Sequence, residues 1–102
     1  MSKDEIISEI KDMSREKYES VAPISSIGET TQYDNTWYIQ EATVSYKKYP
    51  GEYYTKNIVA RVDSDEIVIV TSPETDYRKS SLEKLGILPG VIQLIYVCGA
   101  DL

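Results

Sequence analysis

Most aromatic side chains of this chain fall within one stretch. Seven of its ten aromatic residues lie between Tyr33 and Tyr54, and the sequence contains no phenylalanine. Tyrosine favours β-strands, where its ring packs on a pleated and half-buried surface. The stretch is therefore expected to form strands in which tyrosine serves both the core and the surface.

Two strands are predicted around a turn in this stretch. Apolar and polar residues alternate from Trp37 to Tyr46 and again along Tyr53 to Val62, the pattern of half-buried strands. Pro50-Gly51 between them is a turn signal, because proline presets the first corner and glycine accepts a positive φ at the second. The sequence therefore predicts a β-hairpin.

The register of this hairpin is constrained by its apolar faces. A two-residue loop at Pro50-Gly51 would set the apolar face of one strand against the polar face of the other. We therefore expect a bulge or a loop of three or five residues, with Tyr46 opposite Tyr54 and Ala42 opposite Ile58.

Helices are predicted before and after the strands. Ser2 and Glu5 match a capping box, and the first helix should end near Ser20, ahead of a proline. Ser72-Pro73-Glu74 predicts the start of a second helix, because it combines an N-cap hydroxyl, a proline at the first position and an early acid. Gly86 is a left-handed cap that ends this helix.

Two further apolar runs complete the predicted fold. Ile67 to Val70 is apolar on both faces, which favours an interior strand, and Val91 to Cys98 is predicted as a buried strand after Pro89-Gly90. The order is then α-β-β-β-α-β, with an extra short strand before Tyr33 left open. The chain is predicted to be one α+β domain, residues 1–102, with a mainly antiparallel sheet of four to five strands and two helices.

Both predicted helices lead into similar joints. Two apolar residues and a proline occur at Val21-Ala22-Pro23 and again at Ile87-Leu88-Pro89. A degenerate internal duplication would produce this repeated pattern, and so would chance, because helix–strand joints reuse the same residue types. Both explanations stay open.

The residue types give little support to catalysis. There is no histidine, which removes the commonest general base and metal ligand, and no glycine-rich phosphate loop. The single cysteine, Cys98, lies in an apolar stretch and is expected to be a buried structural thiol. Five carboxylates lie at turns and helix starts without the pattern of a calcium loop: Asp63, Asp65, Glu66, Glu74 and Asp76. We therefore expect no enzyme activity, no catalytic residues, no cofactor and no metal.

Charge and hydropathy restrict the partners and the location. The net charge is −6 and the pI about 4.6, which argues against non-specific binding to nucleic acid. No stretch approaches the length of an apolar membrane span, so no membrane partner is expected. The N-terminal residues are charged and do not resemble a signal peptide, which predicts a cytoplasmic protein.

The tyrosines near Pro50 are too crowded for all of them to be interior. We assign Trp37, Tyr38 and Tyr54 to the core. The other aromatic residues and their neighbouring cations are predicted to form a partner-binding surface: Tyr33, Tyr46, Lys47, Lys48, Tyr49, Tyr53 and Lys56.

Two functions fit this surface. The first is a non-enzymatic protein–protein interaction module that binds a partner or an extended peptide at the aromatic hairpin or at an open strand edge; a homodimer would use the same edge. The alternative is single-stranded nucleic-acid binding, because Tyr46-Lys47-Lys48-Tyr49 and Tyr53-Tyr54-Thr55-Lys56 interleave stacking rings with cations. The overall negative charge favours the first.

The general character of the chain supplies a resemblance. The chain has tyrosine- and isoleucine-rich strands such as Tyr53-Tyr54-Thr55-Lys56-Asn57-Ile58-Val59, and it lacks histidine and has few Asn and Gln residues. In these features it resembles the small orphan proteins of crenarchaeal filamentous viruses of the Acidianus type. The resemblance implies a virus-encoded protein of a hyperthermophile host's cytoplasm, of unknown function, and it transfers no functional residues.

Overall fold

The computed structural model describes residues 1–98, which form three helices and four strands. In chain order these are α1 (Lys3–Tyr18), β1 (Ile24–Gln32), β2 (Trp37–Ser45), β3 (Tyr53–Asp63), β4 (Glu66–Ile69), α2 (Lys79–Lys84) and α3 (Pro89–Cys98). The strands form one antiparallel sheet in the order β1-β2-β3-β4, so the strand predicted as interior, β4, lies at the edge of the sheet. The predicted α+β fold with a four-stranded antiparallel sheet is confirmed, and the open question of a strand before Tyr33 is answered by β1.

The N-terminal helix begins as the sequence predicts. The Ser2 hydroxyl accepts a hydrogen bond from the Glu5 backbone N–H at 3.2 Å, and the Ser2 N–H donates to the Glu5 carboxylate at 3.1 Å. These bonds hold the pKa of Glu5 below its usual value. Ile10, Ser14 and Tyr18 lie one helical turn apart and are fully buried, so this face of α1 packs on the sheet.

Helices cover both faces of the sheet. Alternate residues of a strand point to opposite sides, so Tyr38 and Ile58 lie in the core beneath α1. Trp37, Ile39 and Val59 lie in a second core with residues of α2 and α3. The fold therefore has three layers, with the sheet in the middle.

The predicted last strand is wrong, because this segment is the helix α3. Val91, Ile92 and Ile95 are buried and lie on one helical face against the sheet. An apolar run of this length fits a buried strand or a buried helix. Pro89 occupies the first helical position, where its missing N–H is tolerated. The prediction that Cys98 is a buried thiol concerns a side chain outside the described part of the structure.

The second helix is shorter than predicted. Ser72-Pro73-Glu74 forms a turn, in which the Ser72 N–H donates to the Thr75 hydroxyl at 2.7 Å, and α2 begins only at Lys79. The predicted end is confirmed, because Gly86 has a left-handed φ of 80° directly after the helix. Residues 70–78 instead form an irregular segment that links β4 to α2.

The β2–β3 connection is longer than predicted. It spans residues 46–52, and Tyr54 pairs with Val44 rather than with Tyr46. Ala42 pairs with Lys56 rather than with Ile58. The register differs by two residues, so the predicted face of each strand is kept. Lys56 lies on the same face as Ile58, the α1 side of the sheet.

Three smaller features bear on the predictions. The turn expected at Asp63-Ser64-Asp65 is present, with positive φ at Ser64 and Asp65. The two proline joints open different elements, since Pro23 precedes a strand and Pro89 begins a helix. Within residues 1–98 no helix is long and apolar enough to cross a bilayer.

Candidate functional site

The longest strand of the sheet extends beyond its outer neighbour. β2 pairs with β3 from Tyr53 to Arg61, but β4 pairs only with Ala60–Asp63. Among the described residues, no strand lies beside the first half of β3 on the β4 side. We call its stretch Tyr53–Asn57 the free edge.

The free edge presents backbone groups outward. The backbone groups of Val59 point away from β2, because its N–H donates to the Thr71 hydroxyl at 3.2 Å and its carbonyl accepts from the Val70 N–H at 2.8 Å. Outward-facing residues alternate along a strand, so the backbone groups of Thr55 and Tyr53 face the same side. Within residues 1–98, nothing hydrogen-bonds the backbone N–H or carbonyl of Thr55 on this side.

One end of the free edge is closed by the segment that precedes α2. The Tyr77 phenol donates to the Asn57 carbonyl at 2.6 Å, and Tyr96 of α3 donates to the Tyr77 carbonyl at 2.8 Å. The Lys56 ammonium donates to the Pro73 carbonyl at 3.4 Å. The free edge therefore ends at Asn57 and stays open towards Tyr53.

An aromatic groove of about 880 Å³ follows the free edge. Its wall contains five tyrosines that come from the β2–β3 connection, from β3, from the segment between β4 and α2, and from α3: Tyr46, Tyr53, Tyr54, Tyr77 and Tyr96. The Tyr46 and Tyr54 rings meet edge to face with centroids 5.1 Å apart. The Tyr54 phenol donates to the Glu52 carboxylate at 2.8 Å, which raises the pKa of Tyr54. The groove thus offers apolar ring surface with polar tips.

Two cations differ in how they are held in the groove. The Lys56 ammonium lies 5.8 Å from the ring centre of Tyr46 and 5.3 Å from that of Tyr77. It forms no ion pair with any residue that the structure describes. Arg78 is paired with Asp76 at 2.6 Å, and its hydrogen bonds lower the pKa of Asp76.

A buried hydroxyl network supports the groove from below. The Thr71 hydroxyl lies 3.2 Å from the Tyr18 phenol and accepts from the Val59 N–H. Burial raises the pKa of Tyr18 and raises that of Tyr77 to about 12. Both phenols therefore stay neutral and act as hydrogen-bonding groups. Through its contact with Thr71, the Tyr18 phenol links α1 to the segment that closes the free edge.

The structure brings together only part of the predicted surface. Tyr46, Tyr53 and Lys56 line the groove. Lys47, Lys48 and Tyr49 lie in the exposed connection 46–52, beside the groove, with the Lys48 ammonium 5.9 Å from the Tyr49 ring centre.

Tyr33 lies away from this groove. Its ring covers the N-terminal turn of α3, where a Cβ added to Gly90 would come within 2.8 Å of the Tyr33 ring carbon Cζ. Tyr33 therefore packs against α3 and does not join the residues that line the groove.

Some groove residues were not predicted. The assignment of Tyr54 to the core is wrong, because its side chain is 41 % exposed, whereas Tyr38 and Trp37 are buried at 2 % and 5 %. Tyr77 and Tyr96 lie outside the aromatic stretch and reach the groove only through the irregular segment and α3. Their aromatic character was the only signal in the sequence.

Comparison with protein-family models, curated proteins and solved structures finds no match. A viral origin therefore stays a prediction from the sequence. In the described part of the chain, no three Cys, Asp or Glu side chains are grouped so that they could hold a metal ion. The free edge and its groove are the features from which a function can be argued.

Proposed function

We propose that the protein is an interaction module that binds an extended segment of a partner protein by strand addition at the free edge of β3. The observation that carries this proposal is the unpaired backbone of Thr55 beside the aromatic groove. An added strand would hydrogen-bond to these backbone groups, and the groove would contact its side chains. Affinity and selectivity then come from different parts of the site.

The aromatic wall suits contact with a protein. Tyr53 is 62 % exposed, and Tyr54 and Tyr96 are exposed as well. Tyrosine provides a large, rigid contact area with a polar tip, and few of its torsions must be ordered on binding. These rings are available without any rearrangement of the sheet.

The outer side of β4 is covered at one position. The Lys17 ammonium of α1 donates to the Ile69 carbonyl there at 2.6 Å. Lysines and covering helices commonly prevent unwanted strand pairing. The contrast between this covered position and the bare backbone at Thr55 supports a binding role for β3.

The test uses a proline substitution at the free edge. The Thr55 N–H faces away from β2, so Thr55→Pro removes an outward donor without removing a hydrogen bond of the sheet. Thr55→Val is the matched control, because it keeps the N–H. A synthetic library of random peptides with free termini is captured on the immobilised protein, and a selected peptide is titrated by fluorescence anisotropy.

Wild type and Thr55→Val are expected to bind the peptide equally, and Thr55→Pro at least about tenfold more weakly. Thermal unfolding monitored by circular dichroism checks that Thr55→Pro keeps its fold. Full affinity in a folded Thr55→Pro variant would contradict the proposal. Sedimentation of both variants tests the homodimer, since a dimer that Thr55→Pro dissociates would identify a second copy as the occupant.

The single-stranded nucleic-acid alternative is tested with the same proteins. Lys56 beside two rings and Lys48 beside Tyr49 favour it, and the net charge of −6 opposes it. A labelled oligonucleotide is titrated at two salt concentrations. Tight binding that falls steeply with salt, and that fails for Lys56→Met, would replace the peptide proposal.

A further inference from the structure

We infer that the groove recognises a chain end, namely the free C-terminal carboxylate of the bound peptide, and that Lys56 is its binding residue. This inference rests on the proposed strand addition and names the chemistry of the segment that is bound. Three features support it: the closed end of the free edge, the unpaired cation at that end, and the position of this cation on the α1 side.

The free edge fits a bound peptide whose chain ends beside Asn57. An added strand can pair with Tyr53 and Thr55, but at Asn57 the outward carbonyl is already bonded to the Tyr77 phenol. The Tyr96 hydroxyl in turn fixes the Tyr77 backbone. A peptide that continued along β3 would have to break these bonds, whereas a peptide that ends there would not.

The cation at the closed end has no counter-charge within the part of the chain that the structure describes. Lys56 is half-buried, and its ammonium has three donors but only one hydrogen-bond acceptor among the described residues, the Pro73 carbonyl at 3.4 Å. No carboxylate among residues 1–98 pairs with it, although acidic residues outnumber basic ones in the chain by 17 to 11.

The neighbouring rings hold the ammonium in place. Tyr46 and Tyr77 lie on it within cation–π distance, at 5.8 and 5.3 Å. The other cation in the groove, Arg78, already forms an ion pair with Asp76. Lys56 is therefore a positioned donor with capacity for a carboxylate, at the point where an added strand must end.

The inference fixes the direction of the bound strand. A C-terminus at the Asn57 end means that the peptide runs from Tyr53 towards Asn57, parallel to β3. Lys56 pairs with Ala42, a residue of the core beneath α1, so its side chain lies on that side of the sheet. The carboxylate would then lie on the α1 side of the groove, next to Tyr46 and Tyr77.

The experiment compares three forms of one peptide selected by the random library. The first has a free C-terminal carboxylate, the second a C-terminal amide, and the third a short Gly-Ser extension at the C-terminus. For wild type we expect amidation and extension each to weaken binding about tenfold or more, because a charge-assisted hydrogen bond is lost. Lys56→Met should bind the acid and the amide equally. Lys48→Met, which changes the lysine beside Tyr49, should keep the difference.

The outcomes separate the two proposals. If wild type binds the acid and the amide equally and Thr55→Pro still abolishes binding, strand addition stands and carboxylate recognition is overturned. Binding that survives amidation but needs an internal acidic side chain also overturns it. If no peptide binds at the free edge, both proposals fail. The acid–amide comparison on wild type keeps the test decisive even if Lys56→Met does not fold.

Discussion

The Tyr77 phenol donates a 2.6 Å hydrogen bond to the backbone carbonyl of Asn57. Asn57 is buried and lies at the end of the stretch of β3 that has no neighbouring strand among the described residues. A side chain here does what an adjacent strand would do elsewhere in the sheet. The Tyr77 phenol therefore limits the free edge at this end.

Replacing this phenol should cost stability. Tyr77→Phe leaves the Asn57 carbonyl without its donor, so we expect the free energy of unfolding to fall by about 1 kcal/mol. Urea unfolding followed by circular dichroism measures the change. Tyr96→Phe is the matched control and should cost less, because its hydroxyl lies at an exposed position. Equal losses in the two variants would contradict the role assigned to Tyr77.

Alkaline pH should destabilise the fold through its buried phenols. Burial raises the pKa of Tyr18 and raises that of Tyr77 to about 12, from an ordinary value of 10.0. Above pH about 10 the unfolded chain releases these protons while the folded chain keeps them, so the free energy of unfolding falls as pH rises. The contribution of the Tyr77 phenol to the free energy of unfolding is complete below about pH 10 and is lost between about pH 10 and pH 12.

Urea unfolding at a series of pH values measures this loss. Burial also raises the pKa of Tyr18, so this phenol should add to the fall of the free energy of unfolding as pH rises above about 10. The double variant Tyr18→Phe/Tyr77→Phe should show a flatter profile than wild type. Identical profiles would show that the two phenols titrate alike in the folded and unfolded chains.

The contact between Tyr33 and α3 should determine whether Gly90→Ala lowers or raises the free energy of unfolding. Gly90→Ala places a Cβ against the Tyr33 ring and should destabilise wild type by about 1 kcal/mol. In a Tyr33→Ala background the space is free, and the same change should stabilise by about 0.5–1 kcal/mol, because alanine favours a helix over glycine. A double-mutant cycle in urea measures the coupling, and additive effects would show that the ring does not pack on Gly90.

The β3–β4 turn should gain stability from glycine. Asp65 has a φ of 72°, a left-handed conformation that glycine adopts at lower cost. Asp65→Gly should therefore raise the free energy of unfolding by about 0.5–1 kcal/mol. Glu66→Gly, one residue later in β4, should lower it, because glycine weakens a strand. Thermal unfolding of both variants tests the contrast, and a loss in each would exclude a strained turn.

Local signals in the sequence were sufficient for several elements. The capping box of Ser2 and Glu5 and the helix stop at Gly86 depend on neighbouring residues, and both are confirmed. The strand faces of the hairpin follow from alternation alone. Its register does not follow from alternation, because a shift by two residues keeps the same faces; Tyr46 and Tyr54 pack edge to face without pairing in the sheet.

Other features depend on contacts between distant segments. The apolar run of α3 fits a buried helix and a buried strand equally, and in the fold it packs as a helix on the face of the sheet opposite α1. The free edge arises because β4 is short and residues 70–78 leave the sheet. Tyr77 and Tyr96 reach the groove by that route, so the aromatic stretch predicted only Tyr46, Tyr53 and Lys56 among its lining residues.

Under the proposed strand addition, the closure at Asn57 also bears on the residence time of a partner. Only Tyr53 and Thr55 offer outward backbone groups before it, so an added segment would make few hydrogen bonds. Such a complex would exchange rapidly. Avidity would then govern residence time, and a partner carrying several copies of the segment on one scaffold would outlast a monovalent one.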